Sequence, residues 1–185
     1  MSIVSDEVLK KKYDQLYQKF VKRNFLEVIR ECKKILKKRK HQLFFNLLSI
    51  AYQKNGEIEK SIDVMREALA LNPNHPNFLN NIGMSFYKLH KYSEAKKYYE
   101  KGLEIDNRHL HILNNLGNLK SYLNSNRSAI DYFKKILEIN DKLVEPYYNL
   151  AIIYEALGEF EKSSECLKKI LDLNPKFTDA DRKLS

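Results

Sequence analysis

Asparagine is doubled at Asn80-Asn81 and again at Asn114-Asn115, inside the near-identical stretches LNNIG and LNNLG. A primary amide offers two donors and an acceptor, so a row of them can pair with the N–H and C=O of an extended peptide whatever its side chains. His41, His75 and His109 recur every 34 residues, which raises the question of a metal. Zinc needs ligand atoms about 2 Å from one ion, whereas successive helical repeats place such residues about 8 to 10 Å apart at closest. These are expected to be loop histidines with no metal. Cys32 and Cys166 stand alone, without a CxxC partner; they read as small buried hydrophobes rather than a disulfide framework or a zinc site.

The run KKILKKRKH, from Lys33 to His41, gathers Lys33, Lys34, Lys37, Lys38, Arg39 and Lys40. Such a patch can draw nucleic acid, an anionic membrane surface or an acidic protein. It can also oppose the macrodipole at a helix C-terminus and keep the end of an array soluble. Ile35 and Leu36 interrupt it for packing, which favours a helix end. No nucleophile, base and orienting group converge, and no Gly-rich loop follows a strand. Glu145 and Glu155 lie on one helix about 15 Å apart. The expectation is a non-enzyme with no cofactor.

The elements that position these groups follow from composition and period. The chain has 185 residues, 43% of them hydrophobic, with only five glycines and four prolines. That composition suits long helices with short connections. No stretch approaches the roughly 20 apolar residues of a membrane span, and MSIVSDEVLKKKYDQL lacks a secretory core; a cytoplasmic location is expected. The formal charge of +9 is uneven, because residues 1–41 hold 13 Lys/Arg against 5 Asp/Glu.

ALNPNHP at 70–76, EIDNRHL at 104–110 and EINDKLV at 138–144 are spaced by 34 residues, and LDLNP at 171–175 continues the ladder. They divide the chain into units 42–75, 76–109, 110–143 and 144–177. Each shows the i, i+3, i+4, i+7 apolar spacing twice, the mark of a helical hairpin. In the last unit Tyr147, Leu150, Ala151 and Tyr154 line the first helix and Gly158 marks the turn. Its second helix is predicted over about 160–173, with Cys166, Leu167, Ile170 and Leu171 inward and Asn174-Pro175 as its stop. A less regular unit spans about 9–41. Its predicted stripes are Tyr13, Leu16, Tyr17 and Phe20, then Phe25, Val28, Ile29, Cys32, Ile35 and Leu36. Its turn and its exit loop each look one residue short. The tail 178–185 reads as a polar cap on the last hairpin.

In this register the chain resembles the tetratricopeptide repeat family. The unit from Pro76 carries Leu79, Ile82-Gly83, Phe86, Ala95, Tyr99 and Gly102; that from Leu110 carries Leu113, Leu116-Gly117, Ala129, Phe133 and Ile136. The unit from Gln42 has Phe45, Leu48-Ser49, Tyr52, Gly56, Ala68 and Pro73. Departures are Lys120 at the usual Tyr position, and Ser61 and Ser163 at the small-Ala position. The resemblance implies an all-α right-handed solenoid of about five hairpins forming a single domain. Its concave groove would be lined by first-helix positions 2, 5, 6, 9, 12 and 13.

Those positions carry Asn46, Leu47, Ile50, Gln53 and Lys54; Asn77, Asn80, Asn81, Met84, Tyr87 and Lys88; His111, Asn114, Asn115, Asn118, Ser121 and Tyr122; and Glu145, Tyr148, Asn149, Ile152, Glu155 and Ala156. Both asparagines of each pair are thus expected to point away from the core, with Asn81, Asn115 and Asn149 at one repeat position. Similar asparagine ladders hold peptide backbones in some members of the family. The carboxylate clamp of chaperone-binding members is not matched, because its cations are absent here. Ile50, Met84, Ile152, Tyr87, Tyr122 and Tyr148 would take apolar side chains. Lysines near the start grade to Glu145 and Glu155 near the end, which suits a partly acidic partner. The expected function is a non-catalytic scaffold binding an extended segment of another protein. The alternative is an electrostatic adaptor for nucleic acid or a membrane surface through the basic first repeat, and self-association through the last hairpin is a further possibility.

Overall fold

The computed structural model describes residues 6–177, so the expected cap at 178–185 lies outside them. Ten helices and no strand occur among the described residues. The chain divides into two compact units, one ending at Ile105 and the other beginning at Asp106.

The first unit holds α1 (Asp6–Val21), α2 (Phe25–Lys38), α3 (Gln42–Lys54), α4 (Ile58–Leu71), α5 (Pro76–Lys88) and α6 (Tyr92–Ile105). They form three antiparallel hairpins, with α2 on α3 and α4 on α5; the first helices also touch, α1 on α3 and α3 on α5. The second unit holds α7 (Leu110–Tyr122), α8 (Asn126–Ile139), α9 (Val144–Ala156) and α10 (Phe160–Leu173). Here two hairpins stack through α8 and α9.

Every hairpin turn has three residues and one backbone solution. The middle residue is left-handed: Arg23 (φ 61°), Gly56 (85°), His90 (58°), Asn124 (57°) and Gly158 (73°). The next amide then bonds back to the carbonyl five residues earlier, as in Glu57 N to Tyr52 O (2.9 Å), Lys91 N to Phe86 O (2.9 Å) and Ser125 N to Lys120 O (2.8 Å). This is the Schellman closure, which satisfies carbonyls the helix end would otherwise leave open. Arg23 shows that the first turn is complete, correcting the expected one-residue shortfall. Only the exit segment 39–41 is short, three residues against four at 72–75, 106–109 and 140–143.

The first repeat also differs in α1, where Lys12, Gln15 and Lys19 stand at the places of the α3 core residues Phe45, Leu48 and Tyr52. Its inward stripe is Leu9, Tyr13, Leu16 and Phe20. Tyr17, expected in that stripe, is 45% exposed and lies against the rings of Tyr13 and Phe20.

The recurring histidines begin first helices. His41 Nδ1 accepts from Leu43 N (3.3 Å) and His109 Nδ1 from Ile112 N (3.3 Å), capping α3 and α7. His75 instead lies flat on Phe78, with ring centroids 3.9 Å apart, and bonds Gln42 Oε1 at 3.0 Å.

In the cores, Phe44, Tyr99 and Phe133 are fully enclosed, each burial contributing about 1.5–3 kcal/mol. Cys32 is buried and Cys166 half-buried beside Ala151, Leu167 and Ile170. Loss of water pushes their thiols up to about 12 and about 11, so neither is a ready nucleophile.

Candidate protein-interaction surface

The residues singled out from the sequence fall into two groups, one on α3 and α5 and one on α7 and α9. In the first, Lys54 and Lys88 are exposed, and Asn46, Ile50, Met84 and Tyr87 are half-buried. Asn80 and Asn81 are each only 7% exposed, against the expectation that both point away from the core. Leu47 and Gln53 are buried as well. The physical reason is that first helices pack on one another as well as on second helices, so positions 6 and 12 face a neighbouring helix.

A polar network fills that contact. Ser49 and Ser61 hydroxyls meet at 2.7 Å, and Ser61 and Ser85 at 3.1 Å. Gln53 Nε2 lies within bonding reach of Ser85 Oγ (3.0 Å), Ser61 Oγ (3.3 Å) and the Asn81 carbonyl (3.3 Å). These groups tie α3, α4 and α5 together, and a low-dielectric setting makes a fully satisfied network specific. The sequence signal for it is serine at positions where the family expects glycine or alanine. Gln53, its hub, occupies a position that a helical wheel assigns to the groove.

The asparagines make bridges between successive first helices. Asn81 Nδ2 donates to Asn46 Oδ1 at 3.0 Å. In the second unit Asn149 Nδ2 donates to Asn118 Oδ1 at 3.4 Å, and Asn114 Nδ2 to Glu145 Oε1 at 3.0 Å. Each amide–amide bridge uses one donor group and one acceptor and leaves the opposite pair. Among the described residues Asn118 Nδ2 and Asn149 Oδ1 have no protein partner, and Asn118 is exposed. Around them Asn115 and Tyr148 are half-buried, while Tyr122 and Ile152 are 58% and 41% exposed. Tyr148 also lies edge-on to Phe177.

At the C-terminal ends of α3 and α5, Lys54 and Lys88 are near enough for their charges to interact. Loss of water, and then the neighbouring Lys54, hold the Lys88 amine below the ordinary lysine value.

Half of the basic run is paired with acids of its own unit. Arg39 meets Asp6 at 2.8 Å, Lys34 meets Glu31 at 3.1 Å and Lys40 meets Glu67. Lys37 and Lys38 end α2, where cations oppose the helix dipole. The adaptor reading finds no support in this arrangement.

Family models described as tetratricopeptide repeat match residues 43–75, 76–109, 110–143 and 144–177. The chain belongs to the tetratricopeptide repeat family. The α1–α2 hairpin precedes the matched stretch and shares its turn geometry. Comparison with curated proteins returned no match. Among solved structures, one from work on Pseudomonas aeruginosa pilF superposes with a TM-score of 0.80 at 17% identity, over 95% of this chain and 80% of that one. A thermophilic tetratricopeptide protein of Thermus thermophilus gives 0.77 at 14% identity, over 95% and 96%. The MamA structure gives 0.72 at 18% identity, over 88% and 95%. The fold class is thus the all-α tetratricopeptide solenoid, and tetratricopeptide repeats make the chain a protein-interaction scaffold. Among the described residues no helix is long and apolar enough to cross a membrane.

Proposed function

We propose that this tetratricopeptide protein is a non-catalytic, cytoplasmic scaffold that holds an extended segment of another protein against its first helices. The observation that carries this reading is the amide bridge. Asn149 bonded to Asn118 leaves an N–H₂ donor on one amide and a C=O acceptor on the other, the two kinds of group that a peptide unit pairs with. The Asn81–Asn46 bridge repeats the pattern in the first unit, although Asn81 itself is buried. Tyr122, Tyr148 and Ile152 beside the exposed bridge supply area for the segment's apolar side chains.

The test is capture of binding proteins from the native source by three baits: wild type, Asn118→Ala/Asn149→Ala, and a variant with Lys37, Lys38 and Lys40 neutralised. Circular dichroism verifies that each is folded. The expected result is loss of the partner from the double asparagine variant alone. Equal capture by that variant overturns the reading, and loss confined to the lysine variant transfers the function to the basic run.

A further inference from the structure

The whole excess charge of the chain lies in the first unit. Residues 1–105 hold 21 Lys/Arg against 12 Asp/Glu, whereas residues 106–185 hold 12 of each. Within that unit α3 and α5 repeat one chemical order at positions 5, 9 and 13: amide, apolar, cation. Asn46, Ile50 and Lys54 follow one another on α3, and Asn80, Met84 and Lys88 on α5. Four residues of helix advance about 6 Å, and two residues of extended chain advance about 6.6 Å. The apolar and cationic tiers are therefore spaced like side chains i and i+2 of an extended strand lying along the helices.

The two lysines are held together. Gln53, next to Lys54, bonds Ser85 at 3.0 Å, one turn before Lys88, so the ends of α3 and α5 cannot drift apart cheaply. Among the described residues neither lysine has an ion-pair partner. The nearest acid in sequence, Glu57, is engaged by Asn55 (2.7 Å) and Lys60. Two like charges close together without an anion repel, and an anion between them relieves both.

We propose that the α3–α5 face is a receptor for an acidic protein segment, seating an apolar side chain on Ile50 and Met84 and a carboxylate, two residues further along, between Lys54 and Lys88. The inference rests on the scaffold reading above and names the occupant of one of its surfaces. The second unit lacks the order, having Asn118 and Tyr122, then Ile152 and Ala156, at the same places.

The probe is the acetylated, amidated peptide Ser-Leu-Ser-Glu-Ser-Leu-Ser-Glu, titrated at low salt into the full chain. Binding is read from the NMR signals of the lysine ε-methylenes and the Met84 methyl. Lys54, Lys88 and Met84 signals are expected to shift. Lys54→Ala/Lys88→Ala should weaken binding about tenfold, as loss of a charge-assisted contact does. Lys54→Arg/Lys88→Arg should retain it, and replacing the peptide's leucines by serine should weaken it. Unchanged affinity in the double alanine variant, shifts confined to α2, or equal binding of the leucine-free peptide and inorganic phosphate would each overturn the proposal. Asn118→Ala/Asn149→Ala lies in the other unit and leaves probe binding intact. A partner indifferent to that variant therefore sinks the amide reading alone, and a probe indifferent to Lys54 and Lys88 sinks this one alone.

Discussion

A Cβ placed on Gly83 would lie 2.4 Å from Cε1 of Tyr99, whose ring is 2% exposed and has nowhere to retreat. Equivalent pairs recur at 34-residue offsets with complementary sizes: Ser49 with Met65, Gly117 with Phe133, Ala151 with Leu167. Gly83→Ala is expected to destabilise by about 1–3 kcal/mol through overpacking. Tyr99→Leu, which copies the Ala151–Leu167 pairing, should recover part of that loss when added. Urea midpoints of the two single variants and the double variant, compared as a cycle, check it.

The left-handed turn residue makes a prediction of opposite sign at two sites. Arg23 holds φ 61° with a full side chain, and Gly56 holds φ 85° without one. An L-residue in that region costs about 1–2 kcal/mol. Arg23→Gly should therefore raise the thermal midpoint, and Gly56→Ala should lower it.

Gln53 is 5% exposed and reaches across to α5. Replacing it by alanine removes the amide that ties Ser61, Ser85 and the Asn81 carbonyl across α3, α4 and α5 and leaves a cavity there. A loss of about 1–3 kcal/mol is expected, with faster amide exchange in α3 and α5 than in α9 and α10. Uniform exchange across both units would contradict the assignment of the network to the first unit.

His75 contributes to the acid-side slope of the stability curve. Burial holds its imidazole below the ordinary 6.5, and its Nδ1 is enclosed without a partner. The unfolded chain therefore binds a proton more readily than the folded one. This contribution to stability is complete above pH 6.5 and falls as the pH drops through that value toward the lower folded one. His75→Gln should flatten this slope, as read from denaturation midpoints at about pH 7.5 and about pH 5.

Helix positions are legible because the 34-residue spacing is strict. The helix predicted over about 160–173 is Phe160–Leu173, and Asn174 ends it. What a helical wheel cannot show is the second neighbour of each first helix. It assigns one inward stripe per helix, so it leaves Gln53, Asn80 and Asn81 on open surface although α3 and α5 close over them. An amide with a buried partner and an amide awaiting one are the same letter. In α1 the difficulty is the reverse: Lys12, Gln15 and Lys19 stand where α3 carries core residues, and the apolar spacing draws into the stripe a Tyr17 that is exposed.

The serine and glutamine network also bears on how this array can be rearranged. The place of Ser85 is taken by Leu119 and Ile153 in later repeats, and that of Ser61 by Ala95 and Ala129. If the second repeat were shuffled ahead of a repeat carrying leucine there, Gln53 would lose its Ser85 partner and face hydrocarbon with an N–H unanswered. The hairpins share a shape but are not interchangeable bricks; the junction of the second and third is keyed by side chains buried between them.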